Sequence, residues 1–234
     1  MAVEQPRTGD SSEQRNDTDT ALRMQILSTE HWSLLATRSL TYSESFSRVA
    51  MFISVLSGAM IAIALVAEAD HFGRTFAMIA ILILITVLFV GVATIGRVQT
   101  INKDDLHWVI GMNRIRNAYL ELHPELEKYF VSSRYDDWPG IATTMRLDKV
   151  PQRGPKAIMH ALQTLPGTLR VIVSIVAAAL VGLIAWELGA QTTLCVLVAI
   201  AAFFLTAVLL AIWGFKSIGG FWKDISPRFA QPPR

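Results

Sequence analysis

Charged residues and histidine are missing from four long stretches of this chain, 49–67, 75–96, 171–186 and 188–215, and gather in the segments between them. An α-helix rises about 1.5 Å per residue, so roughly 20 apolar residues cross the ~30 Å hydrocarbon layer of a bilayer. Each stretch therefore predicts a membrane-spanning helix, the third needing its flanks to reach across. The connections at 68–74 and 187–191 are short, which joins the spans as two hairpins. The expected fold is all-α and polytopic, with four transmembrane helices.

The second span has no stop signal after Arg97. Val98, Ile101, Asp105, Trp108, Met112, Ile115, Tyr119 and Leu122 continue at alternating spacings of three and four until Pro124, where the missing N–H must end the helix. That predicts a seam about 40 Å long beyond the membrane. Residues 20–48 read as a second helix running into the first span, with Trp32, Leu35, Ser39, Tyr42, Phe46 and Val49 at heptad spacing. The two extensions have similar lengths and flank one hairpin, so they are expected to pair as an antiparallel cytoplasmic stalk. Counting outward from the hairpin sets Glu44 near Ile101 and Lys103, Arg38 near Asp105 and His107, and Glu30 near Arg114 and Arg116. Asp105 interrupts the apolar seam, and an unpaired carboxylate there would be costly. It is expected to meet Arg38 or water.

Other segments follow from the same pattern. Ser54, Gly58 and Ala62 form a small-xxx-small row suited to close helix packing. Glu68, Asp70 and His71 cluster at the outer turn of the first hairpin, where water solvates them. The central loop carries turn signals at Asp136-Asp137 and Pro139-Gly140. Residues 156–165 place Ile158, Met159, Ala161, Leu162 and Leu165 mainly on one side, as an interfacial helix or an elbow packed on the stalk, with Pro166-Gly167 as the hinge into the third span. Trp186 and Trp213 fit aromatic anchors at opposite membrane surfaces. Phe215, Lys216, Trp222 and Lys223 lie in a basic, aromatic tail suited to anionic headgroups. The expected divisions are a disordered cytoplasmic tail at 1–19, the first hairpin with its stalk at 20–123, a cytoplasmic loop with short helices at 124–167, the second hairpin at 168–215, and the tail at 216–234.

Composition agrees with the patterning. The chain has 234 residues, 52% hydrophobic and only 17% charged, against about 25% charged in soluble domains. The net charge of +2 matters less than its distribution. Lys and Arg number five in 1–48, eleven in 97–170 and four in 216–234, and the two short connections hold only Arg74. By the positive-inside rule both termini and the central loop are cytoplasmic, in the cytoplasmic (inner) membrane. The first 19 residues are polar, with no early apolar run of a secretory signal. Cys195 is the sole cysteine, which excludes an intrachain disulfide or a cysteine-based metal cluster.

Catalytic motifs are not found. No Gly-rich phosphate loop, H-E-x-x-H or G-x-S-x-G is present. The five histidines, His31, His71, His107, His123 and His160, have no mutual metal-ligand spacing. Asp104, Asp105 and His107 are the densest titratable group, and on a helix they read as a polar surface patch. The spans lack the buried carboxylates and histidines that proton relays and many coupled transporters use. No cofactor, metal or nucleic-acid partner is implied, and an enzyme would need a buried polar cluster in the central loop around Tyr135, Asp136 and Asp137.

The runs EHWSLLATRSLTYSESFSRVAMFISVLSG at 30–58 and MNRIRNAYLELHPELEKYF at 112–130 resemble a group of small uncharacterised membrane proteins of actinobacterial type, over the first hairpin and its stalk. That resemblance implies no activity. In plan, though not in motif, the chain is also similar to two-span helical effector domains associated with pores. The expectation is a non-enzymatic membrane protein that acts through its stalk as a homo-oligomer or a scaffold for a protein partner, with the lipid bilayer, including anionic lipids, as its surroundings. A homo-oligomeric channel is the alternative, and a membrane-bound enzyme comes third.

Overall fold

The computed structural model describes residues 8–147, 154–223 and 225–232, and its regular elements are all helical. The order is α1 (Thr8–Asp70), α2 (Arg74–Leu122), a 3₁₀ turn (Pro124–Tyr129), α3 (Trp138–Thr144), α4 (Pro155–Gln163), α5 (Leu165–Glu187) and α6 (Thr192–Lys223). Four of these helices, α1, α2, α5 and α6, are long and apolar enough to cross a membrane.

Helix α1 starts earlier than the hydrophobic pattern suggests. Residues 8–19, expected in a disordered tail, are helical, and 1–7 lie outside the described residues. No proline interrupts the chain from Thr8 to Asp70, and the Thr18 and Thr20 hydroxyls donate to the carbonyls of Gln14 and Asn16 at 2.7 and 2.9 Å. Side chains with low helix propensity thus turn their hydrogen bonds back onto the helix itself. Helix α2 ends at Leu122, just before Pro124, as proline chemistry requires.

Between α1 and α2 the chain turns within three residues. His71 and Phe72 hold positive φ angles of 47° and 61°, and the Asp70 carboxylate accepts the Phe76 N–H at 2.7 Å, satisfying a free amide in the first turn of α2. The Asp136-Asp137 stretch, expected as a loop, leads directly into α3. Asp137 is the N-cap, accepting from Gly140 N at 2.9 Å, and Pro139 occupies the first turn, where no amide donor is needed. Thr164 caps α5 in the same way, accepting from Gly167 N at 3.2 Å, so α5 begins at Leu165, ahead of the Pro-Gly pair.

The chain divides into two compact units: Met1–Leu40 with Asp105–Asp148 and Pro227–Arg234, and Thr41–Asp104 with Lys149–Ser226. In the second unit Phe52, Val87, Ile95, Val98, Leu169, Val173, Val176 and Leu210 form the main buried cluster, and Ala67, Phe76, Ala77 and Ala80 a smaller one. Helix contacts are close wherever glycine faces a neighbour. A methyl at Gly91 would lie 2.7 Å from Val173 Cγ2 and 3.0 Å from Phe52, and one at Gly96 would lie 3.1 Å from the Trp213 ring. The outward surface of this unit is apolar. Phe89 is 73% exposed, and Met60, Ile61, Leu82, Phe204 and Leu205 are exposed with it. A contiguous apolar surface on this scale is unsuited to water and suited to lipid, where close packing of small residues is what holds helices together. The fold is that of a multi-pass membrane protein.

In the first unit the buried side chains include Leu106, Val109, Ile110, Met112, Ile115 and Leu120 of α2 and Ile141 and Ala142 of α3. Buried polar and charged groups are interleaved with them.

Candidate functional site in the first unit

Within the first unit, α1 meets α2 at three levels. Arg38 Nε and Nη2 donate to Asp105 Oδ1 and Oδ2 at 2.6 and 3.2 Å, a two-pronged ion pair that satisfies the carboxylate interrupting the α2 seam. One level further along, a methyl on Gly111 would lie 3.0 Å from Leu34 Cδ1. Beyond it the His31 and Tyr119 rings lie 6.4 Å apart. The expected contact of Asp105 with Arg38 is therefore present.

The α2 half of the predicted seam is inward: Ile101, Asp105, Met112 and Ile115 are buried, and Trp108, Tyr119 and Leu122 are half-buried. The α1 half is not. Trp32 is 66% exposed and Leu35 39% in the first unit, and Tyr42 and Phe46 are exposed in the second. The α1 residues turned inward in the first unit include Leu27, His31, Leu34 and Arg38. Three of the predicted positions, Trp32, Leu35 and Ser39, each follow an inward position by one residue, about 100° around the helix. A mixed face of leucines and polar residues turns inward instead, because Asp105 requires a cation, which Arg38 supplies and Trp or Leu cannot.

Two of the other expected pairs also differ. Glu44 pairs with Arg97, Nε and Nη2 donating at 2.9 and 3.0 Å, while Lys103 lies between one and two turns further along α2. Arg114 pairs with Asp136 and not with Glu30, which is exposed. A fully buried carboxylate needs a cation more than a surface glutamate does.

Asp136 is 0% exposed and takes three donors: Arg114 Nε at 2.7 Å, Arg228 N at 3.0 Å and Phe229 N at 2.8 Å. Its own N–H donates to the Phe229 carbonyl at 3.2 Å, and Asp137 Oδ2 accepts from Gln231 N at 2.8 Å. Residues 228–231 are thereby fastened along the central loop. An extended backbone must find acceptors for its amides, and residues 228, 229 and 231 find them on Asp136 and Asp137. Burial pushes the Asp136 carboxyl up, but the Arg228 N–H, the Arg114 guanidinium and the Phe229 N–H outweigh it and hold it below the ordinary carboxylate value.

Around this strap lies a polar network. Asn113, fully buried, donates to the Tyr135 carbonyl at 2.7 Å and accepts from Thr144 Oγ1 at 3.0 Å and from Arg116 Nη1 at 2.7 Å. Asn117 accepts from Arg134 Nε at 2.8 Å and donates to Glu121. A buried polar cluster does stand around Tyr135, Asp136 and Asp137, but its carboxylates are engaged in holding backbone and Arg114. Beside it a cavity of about 240 Å³ is bordered by Leu120, Phe130, Ser133, Arg134, Tyr135 and Gln231. Among the described residues no three His, Cys, Asp or Glu side chains converge as metal ligands.

Of the remaining predicted positions in the second unit, Ser54 and Gly58 are exposed and Ala62 half-buried, and a methyl on Gly58 would meet nothing within 4 Å. This row does not make the close packing expected of it in the chain; Gly91, Gly96, Gly182 and Gly214 do, each facing a side chain of a neighbouring helix. Trp186, Trp213, Phe215, Lys216 and Lys223 are exposed and Trp222 is half-buried, with α6 continuing as helix to Lys223. Ile158, Met159 and Leu162 of α4 are exposed together. Comparison with known protein families, curated proteins and solved structures finds no match to this chain.

Proposed function

We propose that this chain is a non-enzymatic protein of the cytoplasmic membrane, with both termini in the cytoplasm, whose α1 and α2 extensions form a stalk that self-associates as a scaffold. The observation that carries the reading is the exposed pair Trp32 and Leu35 on α1. These side chains lie outside the charge-free runs, so lipid does not cover them, and the contacts of α1 with α2 in the first unit leave them at the surface. Burying a large apolar side chain fully contributes about 1.5–3 kcal/mol, so a symmetric contact of two stripes at heptad spacing supplies a real driving force. The Lys and Arg distribution supports the orientation, and the exposed apolar edge of α4 fits a helix lying at the headgroup level.

The test is the mass of the full chain in nanodiscs, measured by native mass spectrometry across a dilution series. Dimers or higher assemblies are expected, weakened at least tenfold by Trp32→Ser with Leu35→Ser. A wild-type chain that stays monomeric at every concentration would sink the proposal. A closed ring that conducts ions would replace it with the channel.

A further inference from the structure

Independently of self-association, the first unit holds a buried cation that no carboxylate neutralises among the described residues. Arg116 is 8% exposed. Its hydrogen bond goes to the neutral Asn113 Oδ1, one helical turn away on its own helix, and among the described residues it pairs with no carboxylate. The buried carboxylates of this unit are already committed, Asp105 to Arg38 and Asp136 to Arg114 and the strap. The nearby Arg38 charge adds repulsion: burial first, and Arg38 second, push the Arg116 guanidinium down from its ordinary value. An arginine remains protonated in proteins, so the charge persists in the interior.

A second group points to the same place. His31 Nδ1 is buried with no hydrogen-bond partner among the described residues. Burial, and then the positive charge of Arg116, lower the His31 pKa, which sets the imidazole within the field of that guanidinium. Tyr119 packs its ring against His31. From this level a groove of about 290 Å³ lies one helical turn further out, bordered by Arg23, Ile26, Leu27, Ala118, Glu121 and Leu122. Leu27 precedes His31 by four residues and Leu122 follows Tyr119 by three, so each shares a helix face with its counterpart.

A buried ion left without a counter-charge is among the most expensive arrangements a protein interior can hold, and an orphaned buried donor or acceptor beside it calls for a partner. We propose that Arg116 and His31 form a binding site for one small oxyanion, of the phosphate or carboxylate type, reached along the Leu27–Leu122 groove. The guanidinium supplies a planar fork matched to two oxygens of such an anion, and the imidazole supplies a third contact. Free phosphate and a carboxylate on an apolar chain share this chemistry and differ in whether they use the groove.

The experiment uses the full chain in nanodiscs. Equilibrium dialysis with labelled inorganic phosphate is expected to give about one bound phosphate per chain, and saturating phosphate is expected to raise the unfolding midpoint by about 5 °C at a hundredfold excess over the dissociation constant, relative to chloride at equal ionic strength. Arg116→Met, which replaces a buried ion by an apolar chain of similar length, is expected to fold and to lose both responses. Hexanoate binding tighter than acetate by tenfold or more would assign the groove to the ligand's chain, and equal affinities would assign the site to a free anion; either result supports the site. Absence of saturable binding of any of the three anions to the wild type would overturn it, as would equal binding to Arg116→Met. A phosphate response seen only in Glu30→Gln would also overturn it, in favour of a carboxylate of the chain as the natural counter-ion.

Discussion

Arg38 grips both carboxylate oxygens of Asp105, at 2.6 and 3.2 Å, and so converts the one acidic interruption of the α2 seam into the point that fixes α1 against α2 in the first unit. The Asp105 side chain is 8% exposed and that of Arg38 22%. Removing one partner strands a largely desolvated charge, whereas removing both does not. Arg38→Met is expected to cost about 2–3 kcal/mol, below the full penalty for a buried pair because Arg38 retains some solvent. The double variant Arg38→Met with Asp105→Leu is expected to cost less than the sum of the singles by about 1 kcal/mol or more. Reversible unfolding of the four proteins in detergent gives the cycle, and strict additivity would remove the pair from its role.

The strap over Asp136 is expected to be acid-sensitive. Its carboxyl titrates below the ordinary 3.8 in the folded chain, because the Arg228 and Phe229 amides and Arg114 favour the charged form over the opposing effect of burial. A depressed folded pKa contributes stability that is complete above the unfolded value and is lost as pH falls through the folded one. Attachment of residues 228–231 should thus be constant at neutral pH and weaken below about pH 4. Asp136→Asn is expected to release the strap at neutral pH, since the new amide presents donors to Arg114 and one acceptor fewer. Losing one charge-assisted hydrogen bond costs about 2 kcal/mol, so the Arg228 and Phe229 amides should exchange with deuterium about thirtyfold faster. Unchanged exchange in Asp136→Asn would show that the strap is held by other contacts.

The turn between α1 and α2 carries local strain that glycine relieves. His71 and Phe72 both adopt φ angles near the left-handed region, unfavourable for residues with a Cβ. Both are exposed, but Phe72 makes an edge contact with Phe76 at 5.2 Å. His71→Gly is expected to be neutral or stabilising by up to about 1 kcal/mol, and Phe72→Gly to gain less because the ring contact is lost. Thermal unfolding of the two variants checks the order.

Helices were legible in the sequence because their signals are local. Charge-free length marks α1, α2, α5 and α6 as apolar helices, and Pro124 marks the end of α2. The Arg38 and Asp105 contact was also legible, since a carboxylate in an apolar seam restricts its partner to a cation at matching depth. The face of α1 was not. Periodicity ranks Trp32 and Leu35 above His31 and Arg38 as packing residues, and that ranking fails where buried polar groups on the opposite helix determine what must face them. The strap escaped for a different reason: Asp136 and Phe229 are far apart in sequence, and composition carries no record of which backbone amides a carboxylate will hold. Asp137 before Trp-Pro-Gly was a signal in plain view, an N-cap followed by proline in the first turn.

Gly58 and Gly91 offer the sharpest comparison of a sequence motif with actual packing in the second unit. Gly58 belongs to a small-residue row on α1 yet faces open space, whereas Gly91 belongs to no such row and leaves room for less than a methyl group between Val173 and Phe52. Alanine at 58 gains helix propensity, about 1 kcal/mol in water, and meets no side chain of its own chain. Alanine at 91 must displace the Val173 methyl and the Phe52 ring, both in the main buried cluster, at a cost of about 1–3 kcal/mol typical of overpacking. Gly58→Ala is therefore expected to leave the unfolding midpoint unchanged or raise it, and Gly91→Ala to lower it. The pair also reports on assembly: a Gly58→Ala chain that keeps its midpoint at low concentration but loses mass in nanodiscs would place that face of α1 against a second copy, while unchanged mass would leave it to lipid.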